Sequence, residues 1–257
     1  MPDSVSKPVF FDMHCHLDFA PNAQEAAAEL SALGAGAFAV SVLPHEQGAD
    51  CSSSSSVRWG AGLHPWWVAD GRAGEAELEA LLARIPSTIY IGEVGLDFGR
   101  RYAKDQQAMQ RQIDAFTRIA QACAQAGGRV LSLHAAASAP DVFQVLEQAG
   151  TLDTCTCIFH WYSGDSASFH AAVQAKCFFS VNAFMLETKR GREYARQIPL
   201  KQLLLETDYP PEGQDYNPPA MQTQLALTGA HIAELRNMDF ATLTDQLAYN
   251  SKKVLAL

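Results

Sequence analysis

The sequence has six cysteines but no C-x-x-C pair: Cys15, Cys51, Cys123, Cys155, Cys157 and Cys177 are scattered, several within apolar runs. That spacing argues against a zinc ribbon or disulfide framework and reads as buried free thiols in a reducing compartment. No stretch approaches the roughly 18 apolar residues of a membrane span. Met1 to Val9 also lacks an apolar signal core, so the expected location is the cytoplasm, with no membrane partner. Basic groups are few, with 19 Lys and Arg against 28 Asp and Glu, a formal charge of -9 with histidine neutral. This argues against a protein that coats nucleic acid or anionic membrane by charge alone. It leaves room for a polyanionic substrate, because a bound divalent ion reverses the local sign of a site. Repeats, linker-like boundaries and long charge blocks are absent, and the one low-complexity patch, Ser52 to Ser56, reads as a loop.

What is present is an apolar share of 48% with 18% charged residues, 17 Gly and 12 Pro, which supports a large core and excludes disordered, collagen-like or coiled-coil chains. Eight short apolar runs recur: Val9 to Leu17, Ala37 to Leu43, Arg58 to His64, Thr88 to Asp97, Arg129 to His134, Cys155 to Trp161, Cys177 to Phe184 and Gln202 to Asp208. Helix-compatible segments alternate with them at Asn22 to Leu33, Glu75 to Ile85, Asp105 to Ala126, Pro140 to Gln148, Ser166 to Lys176 and Glu187 to Gln197. The connection Pro44 to Val57 makes no convincing helix. Pro219 to Arg236 and Asp239 to Val254 supply closing helices, with Asp239 as an N-cap. Eight strand–helix alternations predict an α/β fold, a TIM (β/α)8 barrel formed as a single domain over residues 1–257, since closure leaves no sheet edge to cover.

A barrel of this kind builds its active site at the C-terminal ends of its strands. His14 and His16 close the first run, His64 the third and His134 the fifth, with Glu93 near the end of the fourth, His160 in the sixth and Asp208 at the end of the eighth. Strand alternation puts His14 and His16 on one face and turns Met13, Cys15 and Leu17 toward the helices. Ile91 with Glu93, Ser132 with His134, Ile158 with His160, and Leu204 with Glu206 and Asp208 share faces in the same way, which aims these groups into the lumen. A lone histidine at a strand end is ordinarily a hydrogen-bonded structural group. A rim of imidazoles and carboxylates is costly without a cation to neutralise it, so a metal centre is predicted. Four imidazoles and two carboxylates exceed the needs of one tetrahedral ion, so two divalent ions bridged by a carboxylate are expected. Such a pair activates water and stabilises both oxygens of an in-line displacement, which suits hydrolysis of a phosphodiester.

The strings Phe11-Asp12-Met13-His14-Cys15-His16-Leu17-Asp18, Gly62-Leu63-His64-Pro65, Ile91-Gly92-Glu93-Val94-Gly95-Leu96-Asp97, Leu133-His134, His160-Trp161-Tyr162-Ser163-Gly164 and Leu205-Glu206-Thr207-Asp208 resemble, in order, the TatD-like metal-dependent deoxyribonucleases of the amidohydrolase superfamily. The resemblance implies a TIM barrel that hydrolyses DNA, often as an exonuclease, with Mg2+ the usual activator and Mn2+ or Zn2+ as alternatives. It implies that His14, His16 and Asp208 hold one ion, His134 and His160 the second, and Glu93 bridges them. Asp208 would also orient or deprotonate the attacking water, and His64 would sit beside the scissile phosphate; Glu93, Asp208 and His64 are thus the catalytic candidates.

Two departures from that pattern concern the substrate. The family commonly carries an Arg two residues after the fifth-strand His, where this chain has Ala135, Ala136 and Ala137. Cys-Phe after the sixth-strand His is here Trp161-Tyr162, and Trp66 and Trp67 add rings beside His64. Trp66, Trp67 and Trp161 can stack unpaired bases or pack the barrel mouth. Arg100, Arg101 and Lys104, and Lys189, Arg190 and Arg192, can meet phosphates or form solvated faces. Asp12 and Glu206, inward by parity, are expected to orient the histidines. Asp18 and Asp97 stay undecided between that role and shaping loops, and His45, His170 and His231 read as ordinary loop or helix residues.

Two other readings compete. A small-molecule amidohydrolase or lactonase would be expected to carry a fourth-strand Lys, and Glu93 stands there instead. A metal-binding barrel serving as a subunit of a larger complex, including a multi-protein bacterial anti-phage system, would explain a reworked rim and leaves protein partners open.

Overall fold

The computed structural model of the chain describes residues 9–44 and 56–257. His45, Cys51, most of the serine patch, most of the Pro44 to Val57 connection and the first eight residues lie outside the described residues. Among the described residues eight parallel strands carry the fold: β1 Phe11–Cys15, β2 Gly36–Ala39, β3 Val57–Trp59, β4 Tyr90–Asp97, β5 Val130–Ala136, β6 Thr156–His160, β7 Phe178–Val181 and β8 Leu203–Leu205. They pair in sequence order from β1 to β3 and from β4 to β8. Backbone bonds between Ala61 and the β4 residues Tyr90 and Gly92, at 3.0 Å each, join the two groups. On the other side Asp208 N–H reaches His14 O at 3.0 Å and His16 N–H reaches Tyr209 O at 2.8 Å, joining the chain after β8 to β1. The fold is a (β/α)8 barrel, as the alternation predicts.

The helices are α1 Ala23–Ala32, α2 Pro65–Ala69, α3 Glu75–Arg84, α4 Gln106–Ala126, α5 Ala139–Ala149, α6 Thr151–Thr154, α7 Ser166–Gln174, α8 Ala183–Glu187, α9 Lys189–Gln197, α10 Pro218–Leu235 and α11 Phe240–Leu255. Local chemistry explains their limits. The Asp105 carboxylate accepts the Ala108 N–H at 2.7 Å to start α4, which ends at Gly127 with φ 63°. Its buried face, Gln112, Ala115, Phe116, Ile119 and Cys123, repeats at helical spacing. Asp239 caps α11 through Thr242 N–H at 2.8 Å, as expected.

The lumen is layered. Met13, Phe38, Val40, Tyr90, Val130, Ile158 and Leu204 form an apolar floor, sealed from below by Val254 and Leu255 of α11. Above it on the same strands stand Ser132 and Ser180, and then the imidazoles and carboxylates. Two bulges break the simple alternation. Asp12 pairs with Ala37 and Cys15 with Ala39, so Met13 and His14 together oppose Phe38. Ile91 pairs with Leu131 and Val94 with Leu133, so Gly92 and Glu93 together oppose Ser132.

The first bulge corrects two expectations. Met13 joins the lumen floor and does not face the helices. Asp12 turns outward, where it accepts from Thr207 N–H at 2.9 Å and Tyr216 hydroxyl at 2.9 Å, and among the described residues it pairs with no histidine. Several strands are also shorter than the apolar runs. His64 caps α2, Asp208 follows β8 in a left-handed conformation with φ 59°, and Phe184 lies in α8.

Candidate metal centre

Glu93 sits at the hub of the rim. Its buried carboxylate presents its two oxygens to different imidazoles. Oε2 lies 3.4 Å from Nε2 of both His14 and His16, and Asp208 Oδ1 lies 3.5 and 3.4 Å from the same two nitrogens. Oε1 lies 2.6 Å from His134 Nδ1, 2.9 Å from His160 Nε2 and 3.2 Å from His64 Nε2. All seven residues expected at the rim therefore converge on one place. Donor atoms of His14, His16 and Asp208 lie within 4.8 Å of one another, as do those of His64, Glu93 and His134.

The far nitrogen of each imidazole faces its own neighbour, by a hydrogen bond at His14 and His134 and by a 3.5 Å ion-pair approach at His16 and His160. His14 Nδ1 meets Ser132 Oγ at 2.7 Å, and His134 Nε2 meets Asp97 Oδ2 at 3.1 Å. His16 Nδ1 lies 3.5 Å from Asp18, whose other oxygen accepts Val42 N–H at 3.2 Å. His160 Nδ1 lies 3.5 Å from Glu206. Glu206 in turn accepts from the Ser180 hydroxyl, from Asn182 Nδ2 at 2.9 Å and from Trp161 N–H at 3.1 Å. Glu206 and Asp18 thus stand 3.5 Å from His160 and His16, and Asp97 hydrogen-bonds His134. His14, His160 and Glu206 also form a compact trio, but the Glu206 oxygens are taken by these donors.

His64 differs. Its Nδ1 accepts the Trp66 N–H at 3.1 Å, so in the neutral ring Nε2 carries the proton and points at Glu93 as a donor. Burial and the neighbouring imidazoles His134 and His16 keep its pKa low against the pull of Glu93. A group in this tautomer offers no lone pair from Nε2 to a cation.

The electrostatics follow from this crowding. Burial alone would raise the Glu93 pKa, but the imidazoles of His64, His160 and His14 hold the carboxyl well below its ordinary range. Burial would neutralise His16, yet Asp18, Asp208 and Glu93 push its pKa well above the ordinary value. His160 is raised in the same way by Glu93 and Glu206 against its burial. His14 goes the other way, lowered by burial and by the charge on His160, whose ring stacks on it at 3.9 Å. Its Nε2 is buried with no hydrogen-bond partner, although two carboxylate oxygens stand 3.4 and 3.5 Å away. An orphaned imidazole nitrogen among carboxylates is the donor set of a divalent cation, so the residues fit a metal.

The cluster floors a cavity of about 430 Å³. Trp66, Trp67, Arg101 and Trp161 line it, whereas Arg100 is exposed outside the lining. Arg190 and Arg192 donate to backbone carbonyls of Ser163 and Leu186 and serve as loop braces. Arg72 and Tyr102 also line the cavity. Nothing local in the sequence marks Arg72, which reaches the mouth because the turn after α2 lays its guanidinium over Trp67 at 4.2 Å. Ser132 shares its face with His134 by strand parity, the signal that could have marked it as a partner of His14.

Gly95 shows how tightly the motif around Glu93 is built. Its φ is 141°, and a Cβ there would stand 2.1 Å from His134 O, so only glycine lets β4 lie against β5 at this level. The sequence model of the TatD-related DNases matches residues 11–256. The chain belongs to the TatD-related DNase family. Among its relatives, the 3'-5' ssDNA/RNA exonuclease TatD of Erwinia amylovora is 27% identical over 206 residues, 77% of each chain. An uncharacterized metal-dependent hydrolase TatD of Mycobacterium tuberculosis is 34% identical over 143 residues, 54% of this chain and 52% of that one. The crystal structure of the TatD homolog YJJV from Escherichia coli superposes with a TM-score of 0.77 at 21% identity, covering 96% of this chain and 98% of that one. Among the described residues of this family member, no helix is long and apolar enough to cross a membrane.

Proposed function

We propose that this chain is a divalent-metal-dependent nuclease that hydrolyses phosphodiester bonds in DNA, preferring single-stranded or frayed ends. The observation that carries the reading is the split of Glu93, Oε2 toward His14, His16 and Asp208 and Oε1 toward His134 and His160. Two cations would be held by those two sets with Glu93 between them. When bound, such ions polarise phosphoryl oxygens and acidify water, with Mg2+ the expected activator and Mn2+ or Zn2+ as alternatives. Asp208, the most exposed of the carboxylates in the cluster, is kept ionised against its burial by His16, His14 and His160, so it can orient and deprotonate an attacking water. His64 Nε2–H is a fixed donor for a phosphate oxygen beside Glu93. Arg101 at the mouth can supply the positive charge that the family's Arg after the fifth-strand His would otherwise bring, whereas Arg72 there is paired with Asp70 at 2.9 Å. The names of the relatives, an exonuclease on single-stranded DNA and RNA among them, support the same substrate class.

The test is cleavage of end-labelled single- and double-stranded DNA, and of single-stranded RNA, with Mg2+, Mn2+ or EDTA. Wild type is compared with Glu93→Ala and Asp208→Asn. Metal-dependent cleavage that both variants lose is the expected result. A wild type that binds metal but cuts no nucleic acid sinks the proposal.

A further inference from the structure

The aromatic rings at the cavity mouth differ in what they leave open. Trp66 is 36% exposed, yet its ring and its N–H are both engaged by the site's own residues. It stacks on Tyr102 at 4.6 Å and 9°, meets His64 edge-on at 4.7 Å, and donates its Nε1–H to Asp97. Trp67 is half-buried under the Arg72 guanidinium. Trp161 is different. It stacks on Phe184 at 5.5 Å and 21°, and the two rings remain 38% exposed. Its backbone sits at φ 40°, a left-handed conformation that a residue with a Cβ adopts only when its surroundings hold it there. The holding bonds are visible: Trp161 N–H donates to Glu206, the carboxylate beside His160, and to Ser180 O at 3.2 Å. A large ring is therefore tethered to the metal cluster through its own backbone, backed by a second ring, and open to the cavity.

Resting on the nuclease reading, we infer that Trp161, backed by Phe184, is the platform on which the base of an unpaired nucleotide stacks while its phosphodiester lies at the metal cluster. The ligand class follows from the chemistry of the surface. Every nucleobase has an apolar π face that can lie on indole, so the platform is sequence-tolerant. A base inside a duplex has both faces covered by its neighbours, so the platform selects single-stranded or frayed ends. Trp66 is a positioning residue, because its ring and its N–H are spent on Tyr102, His64 and Asp97.

The experiment compares a single-stranded oligonucleotide with a counterpart whose three terminal nucleotides at each end are abasic. Wild type should favour the intact strand, mainly through KM. In Trp161→Ala and Phe184→Ala the ratio of kcat/KM for intact over abasic strands should fall by about tenfold to a hundredfold, and Trp161→Phe should keep most of it. Thermal melting of each variant checks the fold, and Phe184→Ala tests the platform without touching the left-handed residue. Equal cleavage of both strands by wild type, or equal losses on both strands in the alanine variants, overturns the platform and leaves the nuclease reading standing. If no metal supports cleavage, the nuclease reading fails, and binding of the same labelled strands to Ca2+-loaded protein decides the platform. Base-dependent binding lost in Trp161→Ala supports it, and base-independent or absent binding overturns it.

Discussion

Oδ2 of Asp97 lies 3.1 Å from Nε2 of His134, on the opposite side of the ring from Glu93. The same oxygen accepts the Trp66 indole N–H, so one carboxylate ties the end of β4 to β5 and to the ring at the cavity mouth. With the proton on Nε2, the His134 Nδ1 lone pair is turned into the cluster, where a cation can use it. Asp97→Asn should therefore weaken metal binding about 10- to 100-fold with the fold intact. Isothermal titration of the apoprotein with Mn2+ checks this, and unchanged affinity would show that Asp97 serves the loop alone.

Glu93 belongs to both halves of the cluster, so Glu93→Ala should abolish loading of the metal pair and activity together. The fold should survive, because the apolar floor of Met13, Phe38, Ile158 and Leu204 lies below the site and does not depend on it. Metal content by mass spectrometry, with circular dichroism as the control for folding, is the measurement. A variant that keeps two bound ions per chain would remove Glu93 from the bridging role.

Metal should also stabilise the chain. An ion that binds the folded state alone, at a hundred times its Kd, adds about 2.7 kcal/mol. For a chain of this size that corresponds to a rise in melting temperature of roughly 5–10 °C. Scanning fluorimetry with Mg2+ or Mn2+ against EDTA reads the shift. A melting temperature that EDTA leaves in place would argue against coupling between the site and the fold.

Two of the buried thiols should be silent. Burial pushes the Cys123 thiol up to about 12 and Cys157 well above the ordinary range, the latter chiefly through its contact with Cys177 and also through burial. Thiolate is the reactive form and is scarce below the pKa, so Cys123 and Cys157 should resist iodoacetamide at pH 8, while half-buried Cys155 should react first among the described cysteines. Labelling of native protein followed by peptide mass spectrometry tests the order.

Gly95→Ala should destabilise the chain by about 3 kcal/mol or more, through overlap with His134 O and a φ that L side chains rarely adopt. Urea denaturation gives the value, and a loss under 1 kcal/mol would mean that β4 and β5 separate more easily than their pairing implies.

Local chemistry was enough to reveal the barrel and the convergence of His14, His16, His64, Glu93, His134, His160 and Asp208. Both rest on short-range rules: apolar runs alternate with helical spacing, and strand parity carries Ser132 with His134 and Ile158 with His160 to one face. Parity failed at Met13 and Asp12, because a bulge adds one residue to β1 and its cause lies in the pairing with β2, far away in the chain. The apolar runs also ran past the true strand ends, since hydrophobicity marks burial and not which backbone groups find a ladder partner. Only the tertiary structure decided which ring at the mouth is tied to the residues of the cluster and which is not. Trp66, Trp67 and Trp161 are alike in sequence, and what separates them is what folding lays against each: Tyr102, Asp97 and His64 on Trp66, Arg72 on Trp67, and on Trp161 a single backing ring from Phe184.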